Sequence, residues 1–230
     1  MKLDRVIAKH RSLGRGEAHR LIAAGRVLVS GQIITGNQHE VDRFTRVELD
    51  AVTVQQPERA LYLMMHKPAG VVSATVDAEH RTVLDLIDDP DKQTLHIAGR
   101  LDRWSTGLLL LTNDGRWSKL LMDAASKVPK IYVVETAEMI SPDAVAAFAH
   151  GFHFATENVT TLPAELVLLS ECHAQVTLYE GRHHQIKRMF GRVGNLVTAL
   201  HRESIGKLRL PEELKPGMWR ALTIEEWQTV

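Results

Sequence analysis

The 230-residue chain has a single cysteine, Cys172. It therefore cannot form an internal disulfide, and a reducing compartment is expected. Cys172 lies in SECHAQVTLYE beside a predicted strand, where no reactive role is expected. The first residues, MKLDRVIAKH, lack an apolar core of the kind a secretory signal needs. No apolar run approaches the roughly 20 residues that span a bilayer. A cytoplasmic protein with no membrane contact is expected. Formal net charge is zero, which excludes a uniformly basic coat for nucleic acid. No internal repeat or low-complexity segment is present.

What is present is ordinary in amount and uneven in placement. Hydrophobic residues make up 44% and charged residues 24%, as in soluble globular proteins. Residues 1–50 carry nine Lys/Arg against six Asp/Glu, a net of +3. Residues 180–209 carry seven against two, a net of +5. Two basic regions on a neutral chain point to localised contact with a polyanion; for the second, chance clustering on a solvated face is an equal alternative.

Periodicity divides the chain in two. Leu3, Val6 and Ile7 predict a helix, and Arg15–Ala24 a second, with Gly25 as its cap. RVLVSGQIITG reads as strand, Ser-Gly turn, strand, and TRVEL as a further strand. Gln55, Gln56 and Pro57, within residues 51–60, form the best linker. Domains at 1–57 and 61–230 are expected. In the second, strands are predicted at both sides of the turn in LYLMMHKPAGVVSA, at 108–112, 130–136, 165–169 and 174–179, and as two short pieces near 195–199 and 206–210. Helices are predicted over 116–123, after Ser141-Pro142-Asp143, over 183–193 and from about Thr223. Leu108–Thr112 lacks polar alternation and belongs at the centre of a sheet. Strands too irregular for a sandwich and helices too few for βαβ repeats indicate an α+β fold with a mixed, largely antiparallel sheet.

One stretch poses a chemical question. GRLDRWSTG, Gly99–Gly107, sets Asp102 between Arg100 and Arg103 at the mouth of that central strand. The arrangement fits a surface ion pair in a loop, or a carboxylate nucleophile kept ionised by cations.

GRLD followed by STGLLLLTNDG resembles the active-site motif of the pseudouridine synthases, in particular the RsuA branch acting on ribosomal RNA. HKPAG (66–70), KIY (130–132) and EGRHHQIKRMF (180–190) resemble further motifs of that family, in order. LDRVIAK with LIAAGRVLVSG resembles an S4 RNA-binding domain, a small α/β unit. The resemblance implies the pseudouridine synthase fold with a central cleft. It implies Asp102 as nucleophile, Lys187 as its basic partner and Tyr132 stacking on the target uracil. It further implies Arg100 helping to extrude the nucleotide and Ile186 lining the pocket floor; Lys67 is expected to bind substrate, and Arg188, pointing outward from its helix, to contact phosphate. The S4-like unit would bind RNA, mostly at phosphate, through Arg5, Lys9, Arg11, Arg15 and Arg20. No cofactor is implied, because the isomerisation involves no redox change and no external group. Many relatives of this branch have an acidic residue where this chain has Trp104, and Tyr or Asn also occurs in the place of His183.

Residue geometry alone is less committed. Ile186, Met189, Phe190 and Val193 form an apolar stripe at i, i+3, i+4 and i+7. In a helix over 183–193, Lys187 and His183 fall on one border of that stripe, while Arg188 and His184 point outward. A lysine snorkelling to solvent and a core tyrosine are the simpler readings of Lys187 and Tyr132 taken singly. Trp104 fits either stacking on RNA or packing of its loop. Two other functions compete: a non-catalytic RNA-binding or ribosome-assembly protein, and a metal hydrolase built on His183, His184 and His201. Within the synthase reading, LHRESIGKLRL resembles the small-subunit branch more than its large-subunit (23S rRNA) relatives. That implies uridine 516 of 16S rRNA, in a partly assembled small subunit, modified by a monomer.

Overall fold

A computed structural model describes residues 1–229. The chain separates after Ala60 into two compact units. In the first, Leu3, Val6 and Ile7 give helix α1 (Leu3–Arg11) one buried face. Helix α2 (Arg15–Ala23) buries Ala18, Leu21 and Ile22 against the same core. Two tight hairpins follow. Strands β1 (Val27–Val29) and β2 (Gln32–Ile33) meet at Ser30-Gly31, with φ of 49° and 82°. Strands β3 (Val47–Leu49) and β4 (Val52–Gln55) meet at Asp50-Ala51, with φ of 51° and 62°. Two consecutive left-handed residues make the turn whose twist matches that of the flanking strands. The sheet order is β2-β1-β3-β4. Strand β4 occupies residues 52–55 and so reaches the expected linker at Gln55, Gln56 and Pro57; the Asp-Ala turn before it lacks the usual glycine.

The second unit runs β5 (Tyr62–Lys67), β6 (His96–Ala98), β7 (Thr106–Thr112), α3 (Gly115–Met122), β8 (Lys130–Thr136) and α4 (Asp143–His150). It continues with the hairpin β9 (His153–Phe154) and β10 (Val159–Thr160), then β11 (Glu165–Leu168) and β12 (His173–Leu178). Helix α5 (Gln185–Arg192), β13 (Val197–Ile205), β14 (Leu208–Arg209), β15 (Trp219–Ala221) and α6 (Ile224–Gln228) complete it. Nine strands form one mixed sheet along β11-β12-β8-β13-β7-β5-β15, with β14 beside β13 and β6 beside β7. Every pairing is antiparallel except β7 with β13.

Strand β7 is the centre of this unit. Leu109 and Leu111 enter one core with Leu63 and Met65; Leu108 and Leu110 enter the opposite core with Met64. Four consecutive leucines are needed because both faces of the strand are covered. Where β7 meets β13, Gly107 has φ +107° and opposes Arg202. A Cβ at 107 would lie 2.3 Å from the Arg202 carbonyl oxygen, so only glycine fits.

Three expected elements differ. Residues 71–74 form no strand: only Val72 bridges to Thr82, and Ser73 turns to the loop at Leu101. The two short strands expected around 195–210 are instead a nine-residue β13 followed by β14. Register shifts after Val197 and Arg202 break the alternation from which β13 would have been read. The helix expected from residue 183 begins at Gln185, because His184 adopts φ 50°.

Candidate active site

The loop from Gly99 to Ser105 joins β6 to β7, and polar side chains hold its backbone from beneath. Ser73 Oγ donates to the Leu101 carbonyl (2.7 Å) and accepts from the Leu101 amide (3.2 Å). Arg202 donates from Nη2 to the Gly99 carbonyl and from Nε to the Leu108 carbonyl, both at 2.8 Å. Lys67 Nζ donates to the carbonyls of Pro68, Arg103 and Ser105 at 3.1, 3.0 and 2.8 Å. The Ser105 amide closes a turn onto the Asp102 carbonyl at 3.1 Å.

Asp102, the first residue of that turn, pairs with a residue of α5 and with the residue just before that helix. Its Oδ2 lies 2.9 Å from Lys187 Nζ and its Oδ1 3.2 Å from His184 Nε2. The Asp102 side chain is 26% exposed and that of Lys187 34%, so the pair is partly shielded yet open to a ligand.

The start of α5 delivers Lys187. Buried Glu180 accepts from the Leu162 amide, Gln185 Nε2 and Arg182 Nε, while Gln185 Oε1 accepts from the Arg182 amide. These bonds fix where the helix begins. Ile186, Met189 and Phe190 then bury their side chains, leaving Lys187 at the border of the stripe.

Leu101, Tyr132 and Ile186 belong to one buried core. Tyr132 and Arg202 are directly paired across β8 and β13. The Tyr132 hydroxyl accepts from Arg202 Nη1 at 3.4 Å. Lys130, two residues earlier, is also buried and donates to the Val128 carbonyl. Burial, with Arg202 adding repulsion, lowers the Lys130 amine to about 8. Lys67 is likewise lowered to about 8, chiefly by burial; Asp102 opposes the shift and Arg202 adds to it.

Several expectations need correction. Lys67, expected to bind substrate, is wholly buried, and its three donors are taken by carbonyls. It builds the loop from below. His184, expected to point outward, faces Asp102, because its left-handed backbone takes it off the helix. Its ring stacks on His183, with centroids 3.8 Å apart. Arg188 is bound by Glu157 through two bonds of 2.8 and 2.7 Å and lies over the Phe154 ring. His201, grouped with His183 and His184 as a candidate metal set, instead meets Thr106 at 2.8 Å and His66 edge-on. Among the described residues, no group of three or more His, Cys, Asp or Glu side chains is placed to hold a metal ion.

Arg100 is exposed on the Asp102 loop. In the first unit, Arg5, Lys9, Arg15 and Arg20 are exposed, with Arg15 reaching Asp4 at 3.8 Å and Arg20 paired with Glu17. The Arg11 side chain lies outside the described residues. Sequence reasoning missed His184 and Arg202. No local signal marked Arg202, because its partners at Gly99 and Leu108 are backbone carbonyls.

The family described as RNA pseudouridylate synthase matches residues 61–191, which hold Asp102, Tyr132 and Lys187. This chain belongs to that family. The synthase is an isomerase that converts uridine to pseudouridine in RNA. It is 49% identical over 226 residues to the ribosomal small subunit pseudouridine synthase A of Pseudomonas aeruginosa, covering 98% of each chain. It is 40% identical over 230 residues to the protein of the same name from Salmonella typhimurium, covering all of both. A pseudouridylate synthase crystal structure superposes with a TM-score of 0.72 at 34% identity, covering 100% of this synthase and 99% of that chain. Among the described residues, no helix of the synthase is long and apolar enough to cross a membrane.

Proposed function

We propose that this synthase isomerises one uridine of small-subunit ribosomal RNA, uridine 516 of the 16S molecule, with Asp102 as the reacting carboxylate. The observation that carries the assignment of the site is the 2.9 Å contact between Asp102 and Lys187. The names of the full-length relatives support the substrate. The reaction breaks the bond from C1′ to N1 of uracil, turns the base, and joins C1′ to C5. N1 gains a proton and C5 loses one, so the sum is an isomerisation that consumes nothing else.

Each residue has a task in that sequence. Lys187 Nζ, 2.9 Å from Oδ2, holds the Asp102 side chain in place. His184 holds the second oxygen of the carboxylate. Tyr132 offers its ring to the uracil, and Arg202 fixes that ring through its hydroxyl. Ile186 forms the floor, and Arg100 occupies the space that the flipped nucleotide leaves. One chain supplies all of these groups, which supports a monomeric enzyme.

The first unit, S4-like over residues 1–57, grips RNA phosphates through Arg5, Lys9, Arg11, Arg15 and Arg20. The substrate is a partly assembled small subunit in the cytoplasm. The test maps pseudouridines in ribosomal RNA from cells lacking the protein, then restores wild type or Asp102→Asn. Wild type should restore one modification at 516 and the Asn variant none. Restoration by Asp102→Asn would end the catalytic assignment; a restored site in 23S rRNA would end the substrate assignment.

A further inference from the structure

Trp104 is 67% exposed, although it lies on the four-residue turn that begins with Asp102. An indole left in water beside a reacting carboxylate calls for a physical reason, since each exposed aromatic face forgoes burial. The loop does not need it as packing, because Lys67, Ser73 and Arg202 already hold the backbone on either side.

The indole is nonetheless held in place. The Arg103 guanidinium lies 5.1 Å from the Trp104 ring centroid. Arg103 is itself anchored, donating from Nε to the Gly70 carbonyl and from Nη1 to His80 Nε2. The Gly70 amide returns a bond to the Arg103 carbonyl at 2.9 Å. Gly70 also lies beneath the indole: a Cβ there would sit 3.8 Å from Trp104 Cζ3. A flat aromatic surface is thus braced from the side and below and left open elsewhere. A cation lies against it, and the exposed Arg100 stands four residues away on the same loop.

A braced, open aromatic beside cations is what an unpaired nucleobase stacks on. We infer that Trp104 is a specificity-determining residue that stacks on the base of an unpaired nucleotide next to the target uridine. The inference rests on the synthase reading of Asp102. It places the target nucleotide at residue 102 and its neighbour at residue 104, so that one short turn recognises two consecutive nucleotides. Stacking tolerates any base, so the contact selects for an unpaired flank rather than for one sequence.

The test uses the full-length enzyme and a small-subunit RNA fragment containing the target, assembled with small-subunit ribosomal proteins. Trp104→Ala should raise KM about tenfold while kcat falls less than threefold, and Trp104→Phe should recover most of the loss. Abasic nucleotides placed singly on either side of the target should weaken wild type at one position by about tenfold and Trp104→Ala by less than twofold. Steady quenching of indole fluorescence on RNA addition should disappear in Trp104→Phe. Equal sensitivity of wild type and Trp104→Ala to every abasic substitution would overturn the inference, as would a loss confined to kcat. Failure of the synthase reading is separate: wild type would then form no pseudouridine in this fragment at any RNA concentration.

Discussion

In the small unit, Arg5, Lys9, Arg15 and Arg20 stand exposed on two helices. In the large unit, Lys67, Lys130 and Arg202 are buried, Arg202 to 1% exposure, and hold backbone carbonyls or the Tyr132 hydroxyl. The same residue types serve opposite ends. A cation in water is a mobile charge with weak local partners, suited to a polyanion of variable shape. A cation out of water must satisfy its donors, and the groups that satisfy it are fixed in return. Lys67 and Arg202 therefore order the Asp102 loop and the Tyr132 ring, whereas the exposed set stays in water, Arg15 and Arg20 each near one carboxylate.

The contrast can be broken at its centre first. Asp102→Asn should lower the rate by at least about 10³-fold, since loss of a reacting group has effects of this size or larger. RNA affinity, measured by filter binding, should change less than twofold. Arg202→Met should then destabilise the large unit by about 3 kcal/mol in urea unfolding, because buried carbonyls at Gly99 and Leu108 lose their donors. A variant as stable as wild type would show that the buried arginine orders nothing.

Lys67→Met should lower kcat by about 10–100-fold through a misplaced carboxylate, with a smaller effect on KM. It also carries a pH signature. The Lys67 amine sits at about 8 in the folded protein against 10.5 ordinarily. Between those values the unfolded chain binds more protons, so this residue adds stability as pH rises. The gap in unfolding free energy between wild type and Lys67→Met should widen by about 1–2 kcal/mol from pH 7.5 to 9.5. A gap that narrows would contradict the buried charge.

The exposed set should respond least in stability and only in binding. Arg5→Gln, Lys9→Gln and Arg20→Gln should each leave stability within about 0.5 kcal/mol. Each should weaken RNA binding a few-fold and reduce the slope of log affinity against log salt by about one. A flat salt response in wild type would remove RNA binding from the small unit.

The same division governed what could be read in advance. Surface and periodic features were legible: α1 from Leu3, Val6 and Ile7, β7 from its leucines, and β8 over Lys130–Thr136. The meeting of Asp102 and Lys187 was legible because both motifs are short and local. The buried polar scaffold was not. Arg202 lies 100 residues from Asp102 in sequence, and its partners are backbone carbonyls, which leave no mark on residue identity. Lys67 failed in the same way. His184 was misplaced because a single left-handed φ changed the direction of its side chain, and a non-glycine residue gives little warning of that.

Gly107 sits at the rung where the strand leaving the Asp102 loop touches the strand carrying Arg202. A single methyl there would act as a wedge driven between the two. Asp102 and its hidden arginine support could then be pried apart by a change to neither, which makes an atom that is missing from residue 107 as much a part of the architecture as any that is present.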